Sequence, residues 1–191
     1  TGVETLHVNA TALKMKADQL GDLDHFFARQ LYITTDGTVD FRGATQTPDE
    51  IYLSSAGNVL FLGPSATVFG GAARDVVWGA SGYNVLHGGG GDDSLIGGNT
   101  YDRLDGGTGD DKLRGGLGDD LYIVDGHGDV VVETAGGGRD LVEASGSHAI
   151  GDNVEALLLT GSGDITGHGN DMPNRIDGNS GDNKIVGRGG N

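Results

Sequence analysis

The 191-residue chain has no cysteine, three prolines, two methionines and one tryptophan, and only 12 lysines and arginines stand against 28 acidic residues. Without cysteine there is no disulfide to brace a small core and no thiolate site for zinc. The formal net charge of −16 argues against nucleic acid and anionic membrane as partners, because both reward positive surfaces. No apolar run is long enough to insert into and cross a bilayer. Thr1 opens no basic, apolar leader. The chain breaks off at Gly189, Gly190 and Asn191, inside a glycine-rich unit, so a piece of a longer protein is expected.

Signatures of catalysis are missing as well. No serine lies in G-x-S-x-G, no paired-histidine helix offers zinc ligands, and no glycine loop stands between a strand and a helix. The histidines (His7, His25, His87, His127, His148 and His168) are scattered without ligand spacing. The acidic pairs Asp92/Asp93, Asp110/Asp111 and Asp119/Asp120 could suggest a glycosidase. Their fixed phase explains them better, and we read the chain as non-enzymatic.

What the chain does have is glycine, 38 residues of it, set in a rhythm. Six nonapeptides run head to tail over residues 70–123. Their first places are Gly70, Gly79, Gly88, Gly97, Gly106 and Gly115, and their eighth places are Val77, Leu86, Leu95, Leu104, Leu113 and Tyr122. The sixth places read Asp75, Asn84, Asp93, Asp102, Asp111 and Asp120. An acidic, glycine-rich stretch is by default a solvated linker, but a linker needs no fixed phase. Calcium takes six to eight oxygen ligands, and glycine lets backbone carbonyls approach an ion unobstructed. Each unit is therefore expected to form a six-residue turn followed by a three-residue strand that buries its central side chain.

Two such units make one coil, so every second turn shares an edge. Asp75, Asp93 and Asp111 fall on one edge, and Asn84, Asp102 and Asp120 on the other. Three to four Ca²⁺ ions are expected between successive turns, with Asp93/Asp111 the best site and Asn84/Asp102 the poorest. The expected ligands are the glycines and sixth-place residues named above together with two more sets. The third places supply Ala72, Ser81, Gly90, Asn99, Thr108 and Leu117; the fifth supply Arg74, Tyr83, Asp92, Tyr101, Asp110 and Asp119, through carbonyls while fifth-place side chains face water. Ala73 and Thr100 at fourth places, and the neutral Asn84, put the first coils' occupancy in question. His87 and Trp78 occupy ninth places, where side chains point outward; Trp78 is expected to shield the junction with the coils upstream.

The remaining chain divides into three. Residues 1–67 carry alternating apolar pairs (Leu6/Val8, Leu13/Met15, Leu31/Ile33, Val39/Phe41, Ile51/Leu53, Val59/Phe61) expected as short strands of a calcium-free solenoid or a sandwich-like lead-in. The nine-residue spacing of Val59, Val68 and Val77 suggests that the solenoid starts before the glycines, and one short helix is expected over residues 18–30. The calcium-binding roll occupies 68–123. A β-rich insert is expected over 124–166, and over 167–191 a second repeat block in which Asn174 and Asn183 replace the carboxylate, so that packing and amide hydrogen bonds hold it together.

The units GGGGDDSLI (88–96) and GGTGDDKLR (106–114), with residues 115–145 and 151–187, resemble the RTX, or haemolysin-type, calcium-binding repeat family. The resemblance covers about two thirds of the chain. It implies an all-β, right-handed parallel β-roll or β-helix solenoid with calcium between stacked Gly/Asp-rich turns. It also implies a secreted or surface-bound bacterial protein that leaves the cell unfolded by type I secretion and folds in external calcium. Such repeats accompany many activities, so two other readings stay open: a surface-layer or adhesin fragment that self-associates with calcium, and an accessory module beside a polysaccharide-acting domain.

Overall fold

In the computed structural model the described residues are 5–8, 12–14, 30–34, 36–42, 47–126 and 128–189, the first two segments as backbone strands only. They form an all-β parallel solenoid. One sheet of ten strands runs its length, made of Thr5–Val8, Gln30–Ile33, Glu50–Tyr52, Thr67–Phe69, Val85–Gly90, Arg103–Thr108, Leu121–Val124, Leu141–Ala144, Ala156–Leu159 and Arg175–Asp177 in that order. The opposing side is a seven-stranded sheet from Ala12–Lys14 to Val130–Val131, followed by a separate three-stranded sheet of His148–Ala149, Thr166–His168 and Lys184–Val186.

Strands this short persist because most of them bury a large side chain in a continuous column. In the long sheet Leu31, Ile51, Val68, Leu86, Leu104, Tyr122, Val142 and Leu157 stand in register. Val39, Leu60, Val77, Leu95, Leu113 and Val131 do the same opposite. All are buried, and full burial of such a side chain is worth about 1.5–3 kcal/mol. Their flanking neighbours point outward, as the two-residue period requires.

Two expectations for the upstream segment need correction. Leu60 and Leu62, not Val59 and Phe61, enter the core, while Asn58 is buried beside them. Leu60 is the residue that pairs with Val77, so Val59 shares the nine-residue spacing without sharing the face; the coil joining them is one residue shorter than the repeat. Gln30, the end of the expected helix, opens a strand instead. The rest of that helix, Met15, His25 and His127 lie outside the described residues.

The outer faces carry stacked rings. Tyr32, Tyr52, Phe69 and His87 follow one another with centroids 4.6, 4.9 and 5.1 Å apart. On the other face Trp78 lies 4.6 Å from Phe61, which Arg42 covers at 4.0 Å, so the tryptophan packs on the upstream coil. His87 is half-buried and sits 3.3 Å from Asp105.

Candidate metal centre

The coil is 18 residues long through the repeats, and this places each sixth-place carboxylate directly over the backbone of the preceding one. Asp93 Oδ1 accepts the Asp75 N–H, Asp111 Oδ1 the Asp93 N–H, Asp102 Oδ1 the Asn84 N–H and Asp120 Oδ1 the Asp102 N–H, all at 2.7 Å. The two edges predicted from the sequence are thus brought together as two ladders of carboxylates. Asp75, Asp93, Asp102, Asp111 and Asp120 are all nearly inaccessible.

Only one oxygen of each carboxylate is used by this ladder. The Oδ2 atoms of Asp93, Asp102, Asp111, Asp120 and Asp140 are buried with no hydrogen-bond partner among the described residues. An ionised oxygen in that state is costly, and its chemistry asks for a cation. Burial pushes the carboxyls of Asp93 and Asp140 up to about 7, of Asp102 and Asp111 up to about 6 and of Asp120 up to about 8. Mutual repulsion adds to the shift for Asp93, Asp111, Asp120 and Asp140.

The first-place glycine completes a cradle. A Cβ added at Gly97 would stand 2.6 Å from Asp102 Oδ2 and 2.8 Å from the carbonyl oxygen of Gly115 on the next coil. Gly88 faces Asp93 Oδ2 and the Gly106 carbonyl in the same way, and Gly70, Gly79, Gly106 and Gly115 face their own sixth-place side chains. None of these six has positive φ; that conformation belongs to second and fourth places such as Gly107 (91°) and Gly109 (133°). Close approach is what excludes a side chain at the first place. Ala73 and Thr100 hold fourth places without positive φ, so those two turns take another shape.

The third- and fifth-place side chains lie on the outside of the turns: Ala72, Ser81, Asn99, Thr108, Leu117, Arg74, Tyr83, Asp92, Tyr101, Asp110 and Asp119 are exposed, and Gly90 is partly so. Tyr83 and Tyr101 stack there at 5.5 Å. Asp92 Oδ1 accepts the Asp110 N–H at 3.1 Å.

The two members at the start of the ladders differ from the rest. Asp75 Oδ2 accepts the Gly71 N–H at 3.0 Å. Asn84 presents its amide nitrogen, not its oxygen, to the cradle: Nδ2 donates to the Gly97 carbonyl at 3.3 Å and to Asp102 Oδ1 at 3.1 Å, while Oδ1 accepts the Ala66 N–H at 3.2 Å. The same amide nitrogen also donates to the Gly82 carbonyl at 2.6 Å, so the amide brings donors where the other turns have a partnerless oxygen.

The ladders also run further than the nonapeptides indicated. Asp129 accepts the Asp111 N–H at 3.0 Å and Asp140 the Asp120 N–H at 2.8 Å, while Asn58 N–H donates to Asp75 at the other end. Asp129 holds the sixth place of a seventh unit whose first residue is Val124; the missing glycine hid it, although Val131 keeps the apolar eighth place. Asp140 lies 20 residues from Asp120, off the nine-residue grid because three glycines, Gly136 to Gly138, lengthen the turn.

The donors present therefore fit a hard divalent cation: buried carboxylate oxygens without partners, backbone carbonyls beside them, and no side chain to block the gap. Four copies of the RTX calcium-binding nonapeptide repeat match the chain, over residues 69–104, 87–122, 97–129 and 168–191. These coils belong to the haemolysin-type RTX calcium-binding repeat family. RTX repeats are binding and structural modules, not catalytic domains. No curated protein and no solved structure matches the chain. Among the described residues no helix is long and apolar enough to cross a membrane.

Proposed function

We propose that this chain is a calcium-dependent folding module of a secreted or cell-surface bacterial protein, assembled as a β-roll when the chain meets external calcium after type I secretion. The observation that carries this reading is the row of partnerless Oδ2 atoms at Asp93, Asp102, Asp111 and Asp120. Each is held by a ladder that is complete only with a cation. In this reading the ions lie against those oxygens and the carbonyls of the facing turn, with third- and fifth-place residues contributing carbonyls. Asn84 and Asp75, whose side-chain atoms are already hydrogen-bonded, are the poorest positions for an ion.

Extracellular calcium modules work with dissociation constants of about 10⁻⁴ to 10⁻³ M, so the ions are retained outside a cell and lost inside. Metal binding and folding are then one equilibrium. The test is circular dichroism and hydrodynamic radius of the chain as calcium is added. A rise in β signal with compaction is expected; an unchanged, extended or already folded chain rejects the reading. Light scattering in the same titration separates a monomeric module from a self-associating one.

A further inference from the structure

At the end of the repeats two coupled replacements change the character of the ladder. Glu133 stands 18 residues after Gly115, in the column where the preceding coils have glycine, and Tyr122 stands where the preceding coils have Leu104 and Leu86. The tyrosine ring is fully buried in the core column. Its hydroxyl accepts the Gly115 N–H at 2.6 Å and donates to Glu133 Oε1, and Glu133 Oε2 accepts the Thr134 N–H at 2.9 Å. A buried glutamate is thus held beside the ladder, each of its oxygens accepting one hydrogen bond.

Around it, carboxylate oxygens of Asp120, Glu133 and Asp140 lie within 4.8 Å of one another, all three buried. An acidic cluster of this sort could be only a hydrogen-bonded cap. A second observation points to a ligand: Asp120, 2% exposed, and Asp140, 1% exposed, each retain a buried Oδ2 with no partner. Asp120 Oδ2 and the Tyr122 hydroxyl both crowd the space that a Cβ on Gly115 would take, which puts that oxygen on the Tyr122–Glu133 side. The repeats bring at most two sixth-place carboxylates to a gap between turns, and only one between Asn84 and Asp102; this gap has three. Calcium affinity rises with the number of charged ligands and with the rigidity of the site, and here the added ligand is fixed by a tyrosine.

We propose that Asp120, at the last of these ladder positions, forms with Glu133 and Asp140 a three-carboxylate site for a hard divalent cation, calcium, at the point where the nonapeptide pattern ends, and that it binds more tightly than the sites of the repeats before it. The inference rests on the calcium-dependent reading above. It differs from it in using Glu133, which belongs to no repeat position that carries a ligand side chain.

The test is calorimetric titration of the full chain with calcium chloride, comparing the wild type with Glu133→Gln, which keeps the shape of the side chain, and with Asp93→Asn in the repeats. The expected result is a tightest class of one ion that weakens at least about tenfold in Glu133→Gln and is retained in Asp93→Asn, which loses a weaker ion. Wild-type binding in Glu133→Gln overturns the proposal and leaves the repeat sites standing. No calcium binding by the wild type overturns both readings. Should Glu133→Gln fail to fold in calcium, wild-type crystals soaked in terbium(III) decide: an anomalous peak in contact with all three carboxylates supports the site, whereas peaks confined to the repeats overturn it.

Discussion

The turns around Asp93 and those around Asn183 solve one stacking problem with different atoms. In the first, each carboxylate caps one backbone N–H of the neighbouring coil and is left with a buried oxygen that has no partner. In the second, Asn183 Oδ1 accepts the Asn179 N–H at 2.7 Å and its Nδ2 donates to Asn179 Oδ1 at 2.7 Å, while Asn179 Nδ2 reaches the Thr160 carbonyl at 2.8 Å. Asn174 similarly accepts from Asn170 N–H and donates to the Val154 carbonyl. An amide brings its own donor and closes the network without help; a carboxylate is only an acceptor and needs a cation. The difference, on the calcium-dependent reading proposed above, is one of dependence: the asparagine coils close without an ion and the aspartate coils do not.

Removing calcium breaks the comparison most sharply. Each site held at ten times its dissociation constant adds roughly 1.4 kcal/mol by mass action, so loss of four such sites, at Asp93, Asp102, Asp111 and Asp120, is expected to cost roughly 6 kcal/mol. Hydrogen exchange after chelation should show protection lost across residues 85–124 before it is lost across 166–186. Simultaneous loss in both segments would end the distinction.

Filling a cradle comes next. Gly97→Ala places a methyl 2.6 Å from Asp102 Oδ2 and is expected to cost about 1–3 kcal/mol by overpacking, together with the calcium ion there. Gly187→Ala, which meets nothing within 4 Å, should stay within about 0.5 kcal/mol. Denaturation in calcium compares the two. A smaller effect is expected from Asn84→Asp: it exchanges the amide donor for a charged oxygen, and calorimetry should find one added weak ion with no change in the asparagine block.

Acidity supplies the remaining test. Burial holds the carboxyls of Asp93, Asp102 and Asp111 near 6 to 7 in the folded chain, above the ordinary value of 3.8, so the calcium-free folded state binds more protons than the unfolded one. What these groups contribute to its stability is fully present below about pH 4 and is lost as pH rises through 6 and 7. Calcium affinity follows the opposite sign, since ligands must lose their protons. Without calcium, the β signal should therefore grow on acidification from pH 8 to 5; a loss of signal over that interval would contradict the burial of these groups.

The stacked β architecture, the 18-residue coil and the two ladders were legible in the sequence, because glycine, acidic and apolar places recur without a slip through six units. Where the phase broke, legibility failed for identifiable reasons. Val59 keeps the right spacing and faces the wrong way, since one coil is a residue short. Asp129 stands in a unit without its glycine, and Asp140 follows a lengthened turn.

What the sequence determined by itself is the periodic part: a residue every ninth place can only be a residue repeated in space, since short strands with one inward side chain bury it only by stacking. What the tertiary structure alone decided is which atoms face which. It turned the Asn84 nitrogen rather than its oxygen toward the cradle and left one oxygen of each buried aspartate without a partner. It also brought Glu133, which stands in a glycine column, against Asp120 and Asp140. Such contacts depend on the pitch of successive coils and on the orientation of planar groups within them, neither of which is encoded at any single position.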